Sequence, residues 1–212
     1  MSKKLAILGS GHLGQQIAHF AISDNHYDEI YFYDDFNNDE NVHGFKILGD
    51  STKIIADFTN NIFDELIIAI GYNHLEKRKY FYESFKGKIP LGKIIHSQAW
   101  VDATAIIQEG CVLYPRCCID ANVKIKANTI INLSVTISHD TTVGKHCFIA
   151  PNVALAGFVN INEMCNIGIN TTIIDGVTIN SNVQTGGGTV VITNIEKKGL
   201  YVGNPQRLIR EL

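Results

Sequence analysis

The chain has 212 residues, of which 45% are apolar, and its formal net charge at neutral pH is −3. This length and apolar content suffice for a buried core and for one or two domains, while the slightly negative charge offers no basic surface of the kind that binds nucleic acid. No apolar run approaches the roughly 20 residues that cross a membrane, and the first four residues lead into a short strand rather than a signal peptide. These features predict a cytoplasmic protein with no membrane span and no nucleic acid partner.

The first predicted strand, Lys4 to Leu8, is followed by the sequence GSGHLG at residues 9–14 and then by a helical pattern. In a G-x-G-x-x-G motif between a strand and a helix, glycines permit a tight turn and a close backbone approach, and the amino terminus of the helix attracts phosphate. A second predicted strand, Glu29 to Tyr33, ends in Asp34 and Asp35. A ribose-binding carboxylate occupies this position in dinucleotide-binding folds.

The third predicted strand, Glu65 to Ile70, ends at Gly71, and a helix with three basic residues at 77–79 follows it. We expect those basic residues to form a solvated face. The α/β pattern ends near Gly92, which leaves room for only one βαβαβ mononucleotide-binding half. The sequence therefore favours a nucleotide or nucleotide-sugar over NAD, with the phosphates near Ser10, Gly11 and His12. A second interpretation is that the glycines only allow the helix to pack on the strand.

From Ile95 to Val183 an aliphatic residue occupies every sixth position, and a small or β-branched residue follows four places after each one. Neither a helix nor a single strand has this period, but a β-solenoid does. Each hexad then gives one strand and one turn, three hexads give one coil, and residues 18 apart lie above one another. The register predicts that Cys111, Cys117, Cys147 and Cys165 are core packing residues rather than disulfide or zinc ligands.

One histidine of the repeat has unusually small neighbours. His139 falls at a turn, and its stack neighbours are Ala121 and Gly157. This leaves open space around the imidazole, which suits a general base that must reach a substrate, and the following Asp140 could hold or polarise the ring. A surface histidine without a role is the competing interpretation. His146, elsewhere in the repeat, is expected to face solvent or an interface.

Several motifs identify a resemblance that covers almost the whole chain. They are SHD at 138–140, VG at 143–144, IAP at 149–151, LAG at 155–157, GIN at 168–170 and VGNP at 202–205, with GSGH at 9–12, YDDF at 33–36 and IAIG at 68–71. The chain resembles the left-handed β-helix (hexapeptide-repeat) acyltransferases, and more closely the bacterial nucleotide-amino-sugar acetyltransferases grouped with sialic acid O-acetyltransferases and bacillosamine-type N-acetyltransferases. The resemblance implies an α/β Rossmann-like half domain (βαβαβ) at residues 1–92, followed by an all-β left-handed parallel β-helix with a short tail at residues 93–212.

The resemblance also implies a function. A homotrimer without metal would transfer acetyl from acetyl-CoA to the amine of a nucleotide-linked amino-deoxysugar, most closely a 4-amino-4,6-dideoxy sugar of polysaccharide biosynthesis. His139 matches the general base and Asp140 the acid that raises its basicity, whereas Phe148 stands where some relatives carry a second histidine. The positions that match the nucleotide-sugar site are Ser10, Gly11, His12, Asp34, Asp35 and Gly71. The positions that match the acetyl-CoA groove are Gly157, Ile169 and Gly187.

Other functions remain compatible with parts of the pattern. The same base could activate a sugar hydroxyl for O-acetylation, and a trimer that binds nucleotide-sugar without catalysis would use the solenoid only for assembly. A zinc hydratase of the γ-carbonic anhydrase kind needs three histidines, yet only His139 and His146 lie inside the repeat core. An NAD-dependent oxidoreductase would need a second mononucleotide half.

Overall fold

A computed structural model describes residues 3–211, which divide into one unit up to Ile94 and a second from Ile95 onward. Strands of the first unit form one five-stranded sheet in the order β3-β4-β2-β1-β5. All neighbouring pairs in it are parallel except the β3–β4 hairpin. The elements are β1 (Lys4–Leu8), α1 (His12–Ser23), β2 (Glu29–Tyr33), β3 (Asn41–Val42), β4 (Phe45–Gly49), a 3-10 turn (Ser51–Lys53), α2 (Ile54–Thr59), β5 (Glu65–Ile68), a second 3-10 turn (Tyr72–His74) and α3 (Leu75–Phe85).

The core of this unit lies between the sheet and the helices that pack on it, with α1 against β1 and β2 and α3 against β5. Successive residues of β1 are buried on both of its faces, as expected for a central parallel strand. Helix α1 buries Gly14, Ile17, Ala18 and Ala21, which share one face because they follow the helical spacing of three and four. A side chain at Gly14 would collide with the carbonyl of Gly9. This glycine therefore serves helix packing, one of the two roles that the motif predicted.

The structure of this unit differs from the predictions in four places. The β3–β4 hairpin and helix α2 were not predicted, and the strand expected to reach Ile70 ends at Ile68. The expected solvated basic face is wrong for Arg78, which is 0% exposed, although Lys77 beside it is exposed. Helix α3 buries Arg78 together with Phe81, Tyr82 and Phe85, so the residue belongs to the packed face of the helix.

The second unit is a parallel β-helix in which each hexad supplies one short strand. Its strands are Ile94–Ile95 (β6), Trp100–Val101 (β7), Ile106–Ile107 (β8), Val112–Leu113 (β9), Cys118–Ile119 (β10), Lys124–Ile125 (β11), Ile130–Ile131 (β12), Thr136–Ile137 (β13), Thr142–Val143 (β14), Phe148–Ile149 (β15), Ala154–Leu155 (β16), Asn160–Ile161 (β17), Asn166–Ile167 (β18), Thr172–Ile173 (β19), Thr178–Ile179 (β20), Val183–Thr185 (β21), Val190–Val191 (β22), Gly199–Val202 (β23) and Arg207–Arg210 (β24).

These strands form three sheets, ordered β7-β10-β13-β16-β19-β22, β8-β11-β14-β17-β20 and β6-β9-β12-β15-β18-β21-β23-β24. Paired residues are 18 apart in sequence up to β22, as in Cys118 with Thr136 and Thr136 with Ala154, whereas β21 pairs with β23 at a separation of 16, as in Val183 with Gly199. The predicted coil of three hexads is therefore confirmed. The final pair, β23 with β24, is antiparallel and ends the solenoid.

The small inward positions of the hexads connect successive coils. Thr141 Oγ1 donates to the carbonyl of Ala156 at 3.0 Å, and Cys165 Sγ donates to the carbonyl of Asn180 at 3.2 Å, 15 residues later in each case. Cys111, Cys117, Cys147 and Cys165 are buried free thiols, which confirms their predicted packing role. Burial raises the pKa of Cys117 to about 12.

Candidate active site

His139 and Asp140 form a hydrogen-bonded pair in the turn between β13 and β14. The distance between His139 Nδ1 and Asp140 Oδ2 is 3.0 Å, and the two side chains are 50% and 38% exposed. An ionised carboxylate can only accept, so Nδ1 carries the proton, and in the neutral imidazole Nε2 then presents a lone pair. The arrangement can therefore accept a proton at Nε2 while the carboxylate stabilises the imidazolium that results.

The space around the imidazole depends on the residue one coil later. A Cβ atom at Gly157 would lie 2.8 Å from Cε1 and 3.0 Å from Nε2 of His139. On the preceding coil, the carbonyl of Ala121 accepts a hydrogen bond from Asp140 N at 2.9 Å. The ring of Phe158, 62% exposed, meets the imidazole edge to face with the centroids 5.1 Å apart. Gly157 thus provides the room that the repeat register predicted, and Phe158, which sequence reasoning missed, limits the ring on one side.

The second histidine of the repeat core has a different environment. His146 is 1% exposed, and its Nδ1 lies 3.0 Å from Nδ2 of Asn128. The expectation that His146 faces solvent or an interface was wrong, because the turn column formed by Asn128, His146 and Met164 is buried within the chain. Phe148, at the position where some relatives carry a histidine, is also buried.

In the first unit, the loops after β1 and β2 are joined through Asp34. Its Oδ2 accepts from Ser10 N at 2.7 Å and from Ser10 Oγ at 2.8 Å, while its Oδ1 accepts from the backbone nitrogens of Phe36 at 2.9 Å and Asn37 at 3.1 Å. Burial alone would raise the pKa of Asp34, but these hydrogen bonds outweigh it and hold the pKa below its ordinary value. Oδ2 of Asp34 thus holds the glycine loop, and Oδ1 holds the loop that follows β2.

Asp34 and Asp35 also line a cavity of about 470 Å³ at the carboxyl ends of the strands, together with Gly9, Phe36, His74 and Lys77. Asp35 Oδ1 accepts from Ser51 N at 2.8 Å, so this acid anchors the start of the 3-10 turn before α2. Sequence reasoning missed the contribution of α3. The spacing of His74, Lys77 and Phe81 would have placed them on one helix face.

The other predicted nucleotide-sugar residues lie around this cavity rather than all within it. Ser10 is buried against Asp34. Gly71 comes directly after Ile70, which lines the cavity. Gly11 and Gly71 have open space where a side chain would project. His12 lines a separate cavity of about 680 Å³ with His19 and His43.

The three predicted acetyl-CoA positions fall into two groups. Ile169, 48% exposed, and Gly187 lie on neighbouring coils, and a Cβ atom at Gly187 would be 3.1 Å from Cγ2 of Ile169. Gly157 instead belongs to the column of His139. Among residues 3–211 no group of three or more histidines, cysteines or acids is arranged to hold a metal ion. In the same range, no helix has the length and apolar character needed to cross a membrane.

Comparison with known proteins extends over both units. Residues 4–84 match the PglD N-terminal domain, whereas no curated protein sequence gives a significant match. The acetyltransferase domain of PglB from Neisseria gonorrhoeae is 28% identical, with a TM-score of 0.89 over 98% of this chain and 100% of that chain. The same domain in complex with acetyl coenzyme A has a TM-score of 0.88 at 28% identity, over 99% of this chain and 100% of that chain.

A third structure is PerB from Caulobacter crescentus in complex with CoA and GDP-perosamine. It is 26% identical, with a TM-score of 0.87 over 97% of this chain and 96% of that chain. These likenesses confirm the predicted fold, an α/β Rossmann-like half domain followed by a left-handed parallel β-helix. Through the matched domain and over nearly its whole length, this chain is similar to sugar N-acetyltransferases of the hexapeptide-repeat family.

Proposed function

We propose that this protein transfers an acetyl group from acetyl-CoA to the amine of a nucleotide-linked amino-deoxysugar, with His139 as general base. The observation that carries the proposal is the pair of His139 and Asp140, whose geometry leaves Nε2 available beside Gly157. Complexes of the similar proteins support it, since one contains acetyl coenzyme A and another contains CoA with GDP-perosamine. A 4-amino-4,6-dideoxy sugar is the proposed acceptor class.

The transfer depends on Nε2 of His139 as the proton acceptor. The neutral amine attacks the thioester carbonyl, a carbon–nitrogen bond forms, and Nε2 of His139 takes the proton that the amine loses. Asp140 stabilises the imidazolium through Nδ1. The tetrahedral intermediate then expels the thiolate of CoA by breaking the carbon–sulfur bond, and the imidazolium returns the proton to sulfur. The reaction needs no acyl-enzyme, because the amine attacks the thioester directly.

Binding of the nucleotide is proposed for the cavity of the first unit. Asp34 and Asp35 hold its loops in place, and Lys77 supplies a positive charge in its wall. The amino terminus of α1 adds a partial positive charge close to Ser10 and Gly11. For acetyl-CoA, the proposed groove passes Gly157, Ile169 and Gly187, where two glycines allow a close approach to backbone. The proposed active form is a cytoplasmic homotrimer, which analytical ultracentrifugation would test.

The test is an acetyl-CoA assay with UDP-, dTDP- and GDP-linked 4-amino-4,6-dideoxy sugars. We expect CoA release with one of them, an acetylated product by mass spectrometry, and stability of that product to hydroxylamine, which cleaves esters but not amides. The variant His139→Ala should lose about 100-fold or more in kcat, the usual effect of removing a general base, while its circular dichroism and oligomeric state stay unchanged. An active His139→Ala variant, or binding of nucleotide-sugar without CoA release, would contradict the proposal.

A further inference from the structure

Asp140 has a second hydrogen-bond partner besides His139. Asn122 lies one coil earlier, directly in register with Asp140, and its Nδ2 donates to Asp140 Oδ1 at 3.2 Å. The other carboxylate oxygen, Oδ2, faces Nδ1 of His139 at 3.0 Å. Because an ionised carboxylate only accepts, the amide nitrogen of Asn122 must be the atom that faces it. The carboxylate of Asp140 is therefore held from both sides.

Asn122 is itself fixed by the coil before it. Its backbone nitrogen donates to Thr104 Oγ1 at 2.8 Å. The single hydroxyl proton of Thr104 goes to Asp102 Oδ1 at 2.6 Å, and Thr104 N donates to the same oxygen at 2.8 Å. Both bonds lower the pKa of Asp102, and the bond from the Thr104 side chain contributes more than the bond from its backbone. An ionised Asp102 leaves Thr104 Oγ1 free to accept from Asn122, so the direction of each hydrogen bond is determined.

We infer that Asn122 is a positioning residue for the acetyl transfer, acting through Asp140 on His139. This inference rests on the proposed function of His139. The side chain of Asp140 is 38% exposed and lines an open polar cavity of about 340 Å³, which Asn122 and Lys124 also line. Water there competes for Oδ1, and a carboxylate held only by the imidazole can rotate away from it. The amide of Asn122 restrains that rotation and so keeps the proton on Nδ1 of His139 and the lone pair on Nε2.

The first experiment removes the amide and leaves the backbone conformation unstrained. Asn122 has φ 60°, a left-handed conformation that glycine adopts freely, so Asn122→Gly is the appropriate variant. We expect kcat to fall about 3- to 10-fold, the rate equivalent of one hydrogen bond, with KM for acetyl-CoA unchanged. The matched control is Asn182→Gly, at an exposed turn asparagine with φ 62° on another corner of the coil, and it should retain wild-type kcat. Equal activity of the two variants would overturn the inference.

The second experiment asks whether Asn122 acts through Asp140. Asp140 has φ 57°, so Asp140→Gly removes the carboxylate without backbone strain. In that background the additional change Asn122→Gly should cost no further activity, because the group that it positions is absent. Independent losses that multiply in the double variant would show a general structural effect and overturn the inference.

A third measurement needs no substrate. Nitrogen NMR of protein labelled at histidine reports which ring nitrogen of His139 carries the proton, with His139→Ala used to assign the signals. We expect the Nδ1–H tautomer in the wild type and a shift toward the Nε2–H tautomer in Asn122→Gly, as in free histidine. An unchanged tautomer would overturn the positioning role even if acetyl transfer is confirmed. Conversely, a shifted tautomer in a protein that transfers no acetyl group would contradict the proposed function and leave the structural coupling intact.

Discussion

Adding one methyl group at Gly157 should reduce catalysis without unfolding the β-helix. In Gly157→Ala the new Cβ would lie 2.8 Å from Cε1 and 3.0 Å from Nε2 of His139, whereas unstrained contacts of carbon atoms lie at about 3.5 to 4.0 Å. The imidazole must therefore move by roughly 0.5 to 1 Å, and a misplacement of about 1 Å can cost about 100-fold in rate. Because the ring is half exposed, it can swing toward solvent, so the free energy of unfolding should change by less than about 1 kcal/mol.

The assay compares kcat, KM and thermal melting of Gly157→Ala with the wild type. We expect kcat to fall roughly 10- to 100-fold, the range for a misplaced catalytic group, with a nearly unchanged melting temperature. In a His139→Ala background the same change should cost nothing further, since the displaced ring is gone. Full activity of Gly157→Ala would refute the reasoning, and a large rise in KM for acetyl-CoA with normal kcat would instead assign Gly157 to the groove alone.

Three further predictions concern acidity, thiols and charge. Because the pKa of Asp34 is lowered in the folded state, its ionisation stabilises the fold above its ordinary pKa of about 4, and this contribution disappears as pH falls through the folded pKa. Urea denaturation should therefore show Asp34→Asn less stable than the wild type at neutral pH, with a smaller difference in acid. A difference that does not change with pH would contradict the assignment. A thiol reagent should label native protein at Cys118 alone, the partly exposed cysteine, and label all five after unfolding; rapid labelling of Cys117 would contradict its burial. Lys77→Gln should raise KM for the nucleotide-sugar several-fold and leave KM for acetyl-CoA unchanged, whereas Lys53→Gln, outside the cavity, serves as the control.

The β-helix could be predicted because the same six-residue pattern repeats in every coil. An inward aliphatic such as Ile137 or Leu155 cannot shift by one residue without exposing itself and burying its neighbour, so the period of six determines which residues stack. Strands β1 and β2 were predicted to the residue for the same reason, since their apolar runs are buried. The β3–β4 hairpin was not predicted, because its residues are exposed or only partly buried and form no buried apolar run.

The surroundings of the site depended on contacts that no local pattern contains. Stacking at 18 residues placed Gly157 over His139, but it could not show that the amide of Asn122 turns toward Asp140. His146 and Arg78 were misjudged for a related reason. A turn histidine or a helical arginine is exposed or buried according to what packs against it, and their own sequence neighbours are compatible with either outcome.

Three acids at the candidate sites share a way of acting that the sequence suggested only for Asp140. Asp34 holds Ser10, Asp35 holds the backbone of Ser51, and Asp140 holds His139, each through a hydrogen bond of 2.7 to 3.0 Å. Each oxygen of Asp34 already accepts two hydrogen bonds from the protein, which leaves this carboxylate little capacity to accept from a substrate. Substitutions at these positions should therefore act by loosening a loop or a ring. In the β-helix the ladder of coils supplies a rigid frame for such a ring, which is why a single glycine and a single asparagine, one on the coil at each side of His139, can determine where its free nitrogen lies.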